Sequence, residues 1–217
     1  MDLLQSLRLL KPELQDFARQ EIKNSSGDSV GFNVFGRDNE GNPFSGGTHR
    51  LADTALRIAI AEAFERSLFD RINEDSGLSK ALLIDQFPST SGFAAGFNSN
   101  RTRFRSFCEG LERWAWSQWI DGESYIPQIH QPYRLSPLSI HLLESFNQVL
   151  WFQKNIPVLF LNKEILLKFS VVIGLHGDGV FPGSRVSGPD DDFWEHGLIE
   201  VYLCEYSRTL FDEAGSI

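Results

Sequence analysis

SGGTHRLADTALRIAIAEAFER, residues 45–66, runs from a glycine-rich start into an apolar-periodic segment that ends in two glutamates and an arginine. Leu56, Ile60, Ala63, Phe64 and Ser67 recur every three or four residues, which predicts a helix from about Ala52 to Ile72 with one apolar stripe. Glu62 and Arg66 fall on the neighbouring stripe with Ala55, Ile58, Ala59 and Phe69, so they are not expected on an open surface. The closing pentad returns: Glu62-Ala-Phe-Glu65-Arg66 reappears as Glu109-Gly-Leu-Glu112-Arg113, 47 residues further on. Each copy follows a glycine-rich loop, Gly46-Gly47 before the first and Gly92-Phe-Ala-Ala-Gly96 before the second.

A looser third version has its loop at Gly177–Gly183 and its carboxylate at Glu200, alone in the apolar run Gly197-Leu-Ile-Glu-Val-Tyr-Leu-Cys204. An ionised carboxylate on a buried helix costs several kcal/mol unless it protonates, pairs with a cation or binds a metal ion. Two readings stay open at this point. Each glutamate can pair with its own i+4 arginine, Glu62 with Arg66 and Glu109 with Arg113. Alternatively, three equivalent carboxylates converge as hard oxygen ligands of the kind that suits Mg²⁺ beside nucleotide phosphates.

Working outward, residues 1–28 read as an N-terminal helical segment, with Pro12 breaking two short helices. Ser29 to Arg37 reads as a strand, Thr102 to Ile120 as a helix, and residues 121–137 as an irregular, proline-bearing connection. Leu138 to Asn155 is expected to be helical, Val158–Leu161 and Phe169–Leu175 to be strands, and Asp190 to Phe211 to be the last helix, capped by Asp190 or Asp191. With no low-complexity linker, the expectation is a single domain over 1–217, with motif units at about 30–73, 81–121 and 156–211. The fold class is α/β in the broad mixed α+β sense: three repeated loop–helix units packed on antiparallel or mixed sheet.

Composition narrows the function classes. Twenty Lys and Arg against 29 Asp and Glu give a net charge of −9, which argues against nucleic-acid binding. No apolar run approaches the ~20 residues that span a bilayer, and the mixed-charge N-terminus has no signal-peptide pattern, so a cytoplasmic protein without membrane association is expected. Cys108 and Cys204 sit in apolar helical patterns and read as buried packers, and the Trp114, Trp116, Trp119 cluster reads as core anchoring.

Gly47 to Arg66, Ser91-Gly-Phe-Ala-Ala-Gly96 followed by Glu109–Arg113, and, more loosely, 157–177 with Gly183 to Arg208 together resemble the YcaO family. The matches keep that family's order and span about Val30 to Arg208, as in a compact member. The resemblance implies an ATP and Mg²⁺ site. It also implies an enzyme that phosphorylates a peptide amide oxygen, on the way to azoline rings, thioamides or amidines. Glu62, Glu109 and Glu200 would be the metal ligands, and Glu65, Arg66, Glu112 and Arg113 would contact the nucleotide or hold the glutamates. The partner would be a peptide substrate or another protein, and a homodimer stays open.

Several usual contacts of the family are replaced. Ile58 stands where a serine is usual, Gly46 where a lysine is usual, and Arg105 where an amide is usual. Leu203 and Glu205 stand where a glutamine and an arginine are usual. The alternative is therefore a catalytically degenerate YcaO-like protein that has lost ATP binding and serves as a peptide- or partner-binding module.

Overall fold

The computed structural model describes residues 3–12, 14–84, 89–132, 134–188 and 193–214. It is a mixed α+β protein with two antiparallel sheets and, among the described residues, six helices. The chain divides into two compact units, Met1–Phe107 and Cys108–Ile217.

The first unit begins with α1 (Leu3–Leu10), followed by the meander β1 (Leu14–Lys23), β2 (Ser29–Asp38) and β3 (Pro43–His49), then α2 (Ala52–Glu74) and α3 (Ser76–Ala81). It also holds the first turns of α4 (Ser99–Ile120). The two hairpin turns are built alike. Asn24 Oδ1 accepts from the backbone N–H groups of Ser26 and Asp28, and Asp38 Oδ1 accepts from those of Glu40 and Asn42. Gly27 and Gly41 supply the positive φ that each reversal needs. Ala55, Ala59, Ile60 and Ala63 of α2 pack on Leu7, Leu14 and Val34. The alanines let the helix lie close to the sheet.

The helix expected after Pro12 is a strand. A register shift between Leu14 and Asp16 turns Leu14 and Phe17 to one face, where both side chains crowd Gly36. A spacing of three on one face, produced by a bulge, imitates a helix. The glycine-rich segment 45–48 is likewise strand, not loop.

The second unit holds the rest of α4, then β4 (Gln128–Ile129), α5 (Pro137–Leu143), β5 (Gln148–Phe160), β6 (Lys163–His176), β7 (Gly179–Ser187) and α6 (Phe193–Ala214). Its sheet runs β4-β5-β6-β7, antiparallel throughout. The helix expected over Leu138–Asn155 stops at Leu143, and the remainder forms β5. Most of the third glycine-rich segment is β7, an edge strand that tolerates Pro182. Phe169, Val171 and Val172 of β6 and Leu198 and Val201 of α6 are fully or almost fully buried. Trp151 and Trp194 meet edge to face at 5.3 Å. Trp116 stacks near Trp119 and Phe169, while Trp114 is exposed, contrary to the expectation of three core anchors. Cys108 is buried as expected, and Cys204 is exposed. Asp190 to Asp192, expected to cap α6, lie outside the described residues.

Candidate functional site

In the first unit α2 lies over β3, and Gly47 makes that approach possible. A Cβ on Gly47 would stand 2.2 Å from the Ala55 carbonyl oxygen and 2.7 Å from the Ala59 nitrogen. The close approach brings the N–H of Gly46 within 2.8 Å of Glu62 Oε2. The other oxygen of Glu62 pairs with Arg66, whose guanidinium also donates to the Phe44 carbonyl at 3.0 Å. The i,i+4 ion pair foreseen for Glu62 is therefore formed, and it is tied to β3 at both ends.

Glu65, one helical step away, is half-buried in contact with the second glycine-rich segment. Burial pushes its carboxyl above the usual range, and Arg105 and the Ala95 N–H offset only part of this. The segment is held by Ser106, whose hydroxyl donates to the Gly92 carbonyl, and by Phe93, which meets Phe69 edge to face at 5.5 Å. Arg105 is thus a charged neighbour of Glu65 at a position where an amide is usual in the resembling family.

The second unit repeats the design of the first. α6 lies over β7, where a Cβ on Gly183 would stand 2.2 Å from the Gly197 carbonyl oxygen. The N–H of Ser184 donates to Glu200 Oε2 at 2.9 Å, and His196 Nε2 lies 3.1 Å from Oε1. Gly46 with Glu62 and Ser184 with Glu200 are both sixteen residues apart. Burial pushes the Glu200 carboxyl up, but the hydrogen bond and charge of His196 and the Ser184 N–H outweigh it, so it is held below the usual carboxylate range.

Ser184 is a junction. Its hydroxyl donates to Glu112 Oε1 at 2.5 Å and accepts from the Trp116 indole N–H at 2.6 Å. Glu112 Oε2 accepts from the Val186 N–H at 3.2 Å. Glu112 is buried, and burial raises its carboxyl above the usual range. Ser184 lowers it and Glu200 raises it again. Arg113 is exposed and acts electrostatically on both Glu112 and Glu200. Glu109 is half-buried on α4, one turn before Arg113.

The first unit therefore brings together Glu62, Glu65 and Arg66, and the second Glu112, Arg113 and Glu200. Sequence reasoning marked Arg105 only as a replaced family contact and missed Ser184 and His196. Of the two it missed, only His196 left a trace, its i,i+4 spacing to Glu200. Among the described residues no three His, Cys, Asp or Glu side chains stand together as a metal-holding group within either unit. The donors nevertheless suit Mg²⁺ in kind. A carboxylate offers about four acceptor positions, and the contacts named at Glu62 and Glu200 take two at each.

No helix among the described residues is long and apolar enough to cross a membrane. No protein-family model matches the chain, and no curated protein does. Among solved structures the chain is similar to YcaO from Methanopyrus kandleri bound with AMPPCP and Mg²⁺. The match has a TM-score of 0.61 at 14% identity and covers 96% of this chain and 69% of that one. The chain has a YcaO-like fold.

Proposed function

We propose that the protein binds ATP with Mg²⁺ and acts on a peptide backbone amide. The observation that carries this reading is the matched seating of Glu62 and Glu200. Each stands on the helix following the last strand of its sheet, held by a strand N–H sixteen residues upstream. Two carboxylates fixed in this way are aimed by backbone, which limits the reorganisation needed when a cation arrives. Glu62, Glu109 and Glu200 are the groups assigned to the metal. Glu65, Arg66, Glu112 and Arg113 are assigned to the nucleotide, directly or through the glutamates.

ATP would supply the phosphoryl group and Mg²⁺ the charge neutralisation of phosphoryl transfer. The chain's own residues bind and orient. Arg66 and Arg113 offer cations to phosphate, and Glu112, with its raised carboxyl, can carry a proton where Glu200 does not. The neighbour whose structure holds AMPPCP and Mg²⁺ supports the reading by analogy of fold.

The competing reading, a partner-binding module without nucleotide, is favoured by one feature: Arg66 and His196 already balance Glu62 and Glu200. Calorimetric titration with AMPPCP separates the two. Mg²⁺-dependent binding is expected, weakened at least tenfold in Glu200→Gln while the fold, read by circular dichroism, persists. No heat with or without Mg²⁺ would overturn the nucleotide reading in favour of the module, whose partner would be a peptide or another protein.

A further inference from the structure

A separate cavity of about 290 Å³ opens in the second unit, and its lining shares no residue with the carboxylate sites. That volume is near the lower end for small-molecule sites. The lining comes from Trp114, Ala115 and Gln118 of α4, from Ile156 and Pro157 in the second half of β5, and from Phe169 of β6. Most of the lining is apolar, but Lys154 and Ser124 both reach it.

The Lys154 ammonium donates to Ser124 Oγ at 2.6 Å. An ammonium carries three donors, and a hydroxyl that accepts one keeps its own proton to give. Lys154 and Ser124 together therefore present two adjacent donors, one of them charged, beside an apolar wall. Among the described residues no carboxylate forms an ion pair with Lys154.

We infer that this cavity is a binding site for an apolar or aromatic carboxylate, its oxygens taken by Lys154 Nζ and Ser124 Oγ and its hydrocarbon part lying against Trp114, Ile156 and Phe169. The single positive charge among the lining side chains matches a monoanion, and the apolar wall excludes small hydrophilic anions by leaving their remaining lone pairs unpaired. A free aryl-carboxylic acid and the C-terminal residue of a peptide share this chemistry.

Calorimetric titrations with 3-phenylpropionate, N-acetylphenylalanine and N-acetylphenylalaninamide test the assignment and separate the two sources. At least one acid is expected to bind saturably, and the amide at least tenfold more weakly. The tighter acid tells whether a free acid or a chain terminus is the better occupant. Lys154→Met should weaken the acids at least tenfold and leave the amide unchanged, while Lys154→Arg should retain them. Equal binding of acid and amide, indifference of the acids to Lys154→Met, or no saturable binding of either acid at millimolar concentrations would overturn the assignment. The acid-against-amide comparison uses the unaltered protein, so it decides the matter even if Lys154→Met does not fold.

Discussion

Gly183→Ala is expected to destabilise the second unit by about 3 kcal/mol, a large effect for one added methyl group. Two contributions oppose each other. Alanine restricts the unfolded chain more than glycine does, which alone would stabilise the protein by about 0.4–1 kcal/mol. Against this, the new Cβ would stand 2.2 Å from the Gly197 carbonyl oxygen, 3.0 Å from Val201 Cγ2 and 3.1 Å from Glu200 Cβ. The nearest of these atoms is backbone, so relief requires α6 to move away from β7, and the steric contribution wins. Gly47→Ala should behave in the same way in the first unit, where both nearest atoms are backbone.

Gly110 supplies the control: it lies in α4 with nothing within 4 Å of an added Cβ. Gly110→Ala should therefore stabilise by up to about 1 kcal/mol. Every tryptophan in the chain, from Trp114 to Trp194, belongs to the second unit, so indole fluorescence during urea unfolding reads Gly183→Ala there. Gly47→Ala needs far-ultraviolet circular dichroism. A Gly183→Ala protein as stable as the unaltered one would mean that α6 does not lie on β7 as closely as described. The same displacement would lengthen the Ser184–Glu200 hydrogen bond, so any Mg²⁺-dependent nucleotide binding should fall along with stability.

These glycines also explain what was and was not legible in the sequence. α2, α4 and α6 announced themselves through apolar spacing, and β2 through its β-branched and aromatic content. β3 and β7 did not, because glycines at the helix crossings gave them the composition of loops. The small residues that suggested flexibility are there to let two backbones touch. β1 was hidden by its bulge, and the part of β5 before Val158 by the absence of a turn signal after the short α5, while the end of β5 was expected as strand.

The candidate site was legible to the same extent and for a related reason. Glu62 and Glu200 stood out as carboxylates among apolar helix neighbours. Glu112, which the structure buries, was marked only as a nucleotide contact in the repeated pentad, where Glu109 held the place matching Glu62. The partners of Glu62, Glu112 and Glu200 are largely backbone N–H groups of Gly46, Ser184 and Val186, which every non-proline residue possesses and which no residue letter marks. Ser184 was invisible for a second reason. One hydroxyl between two glycine-rich stretches carries no periodicity, and its importance comes only from the β7 position that faces Glu112 and Trp116.

Ser184→Ala should accordingly cost about 2–3 kcal/mol, and the cost should grow with pH. The hydroxyl donates to a buried carboxylate and accepts from the Trp116 indole, so its loss removes a charge-assisted donor and strands an N–H. Burial already raises the Glu112 carboxyl above its usual range, and the hydrogen bond from Ser184 is the strongest influence pulling it back. Without that bond the carboxyl rises further.

A carboxyl whose folded pKa lies above its unfolded value stabilises the fold fully below the unfolded value, and that contribution is lost as pH rises through the folded value. The unaltered protein should therefore lose some stability above the ordinary glutamate range, and Ser184→Ala should lose more and go on losing it to higher pH. Glu112→Gln removes the titration and the repulsion from Glu200, so its stability should be flatter with pH than that of the unaltered protein. The double variant should be as flat as Glu112→Gln alone. Glu200 works in the opposite sense: held below the usual range, it contributes stability that is lost as pH falls through its folded value. Its loss lies below the usual glutamate range and that of Glu112 above it, so the two separate along the pH axis. Urea unfolding followed by tryptophan fluorescence from pH 5 to pH 8 compares the variants, and a Ser184→Ala penalty that stays constant across that interval would show that Glu112 is not held by this hydroxyl.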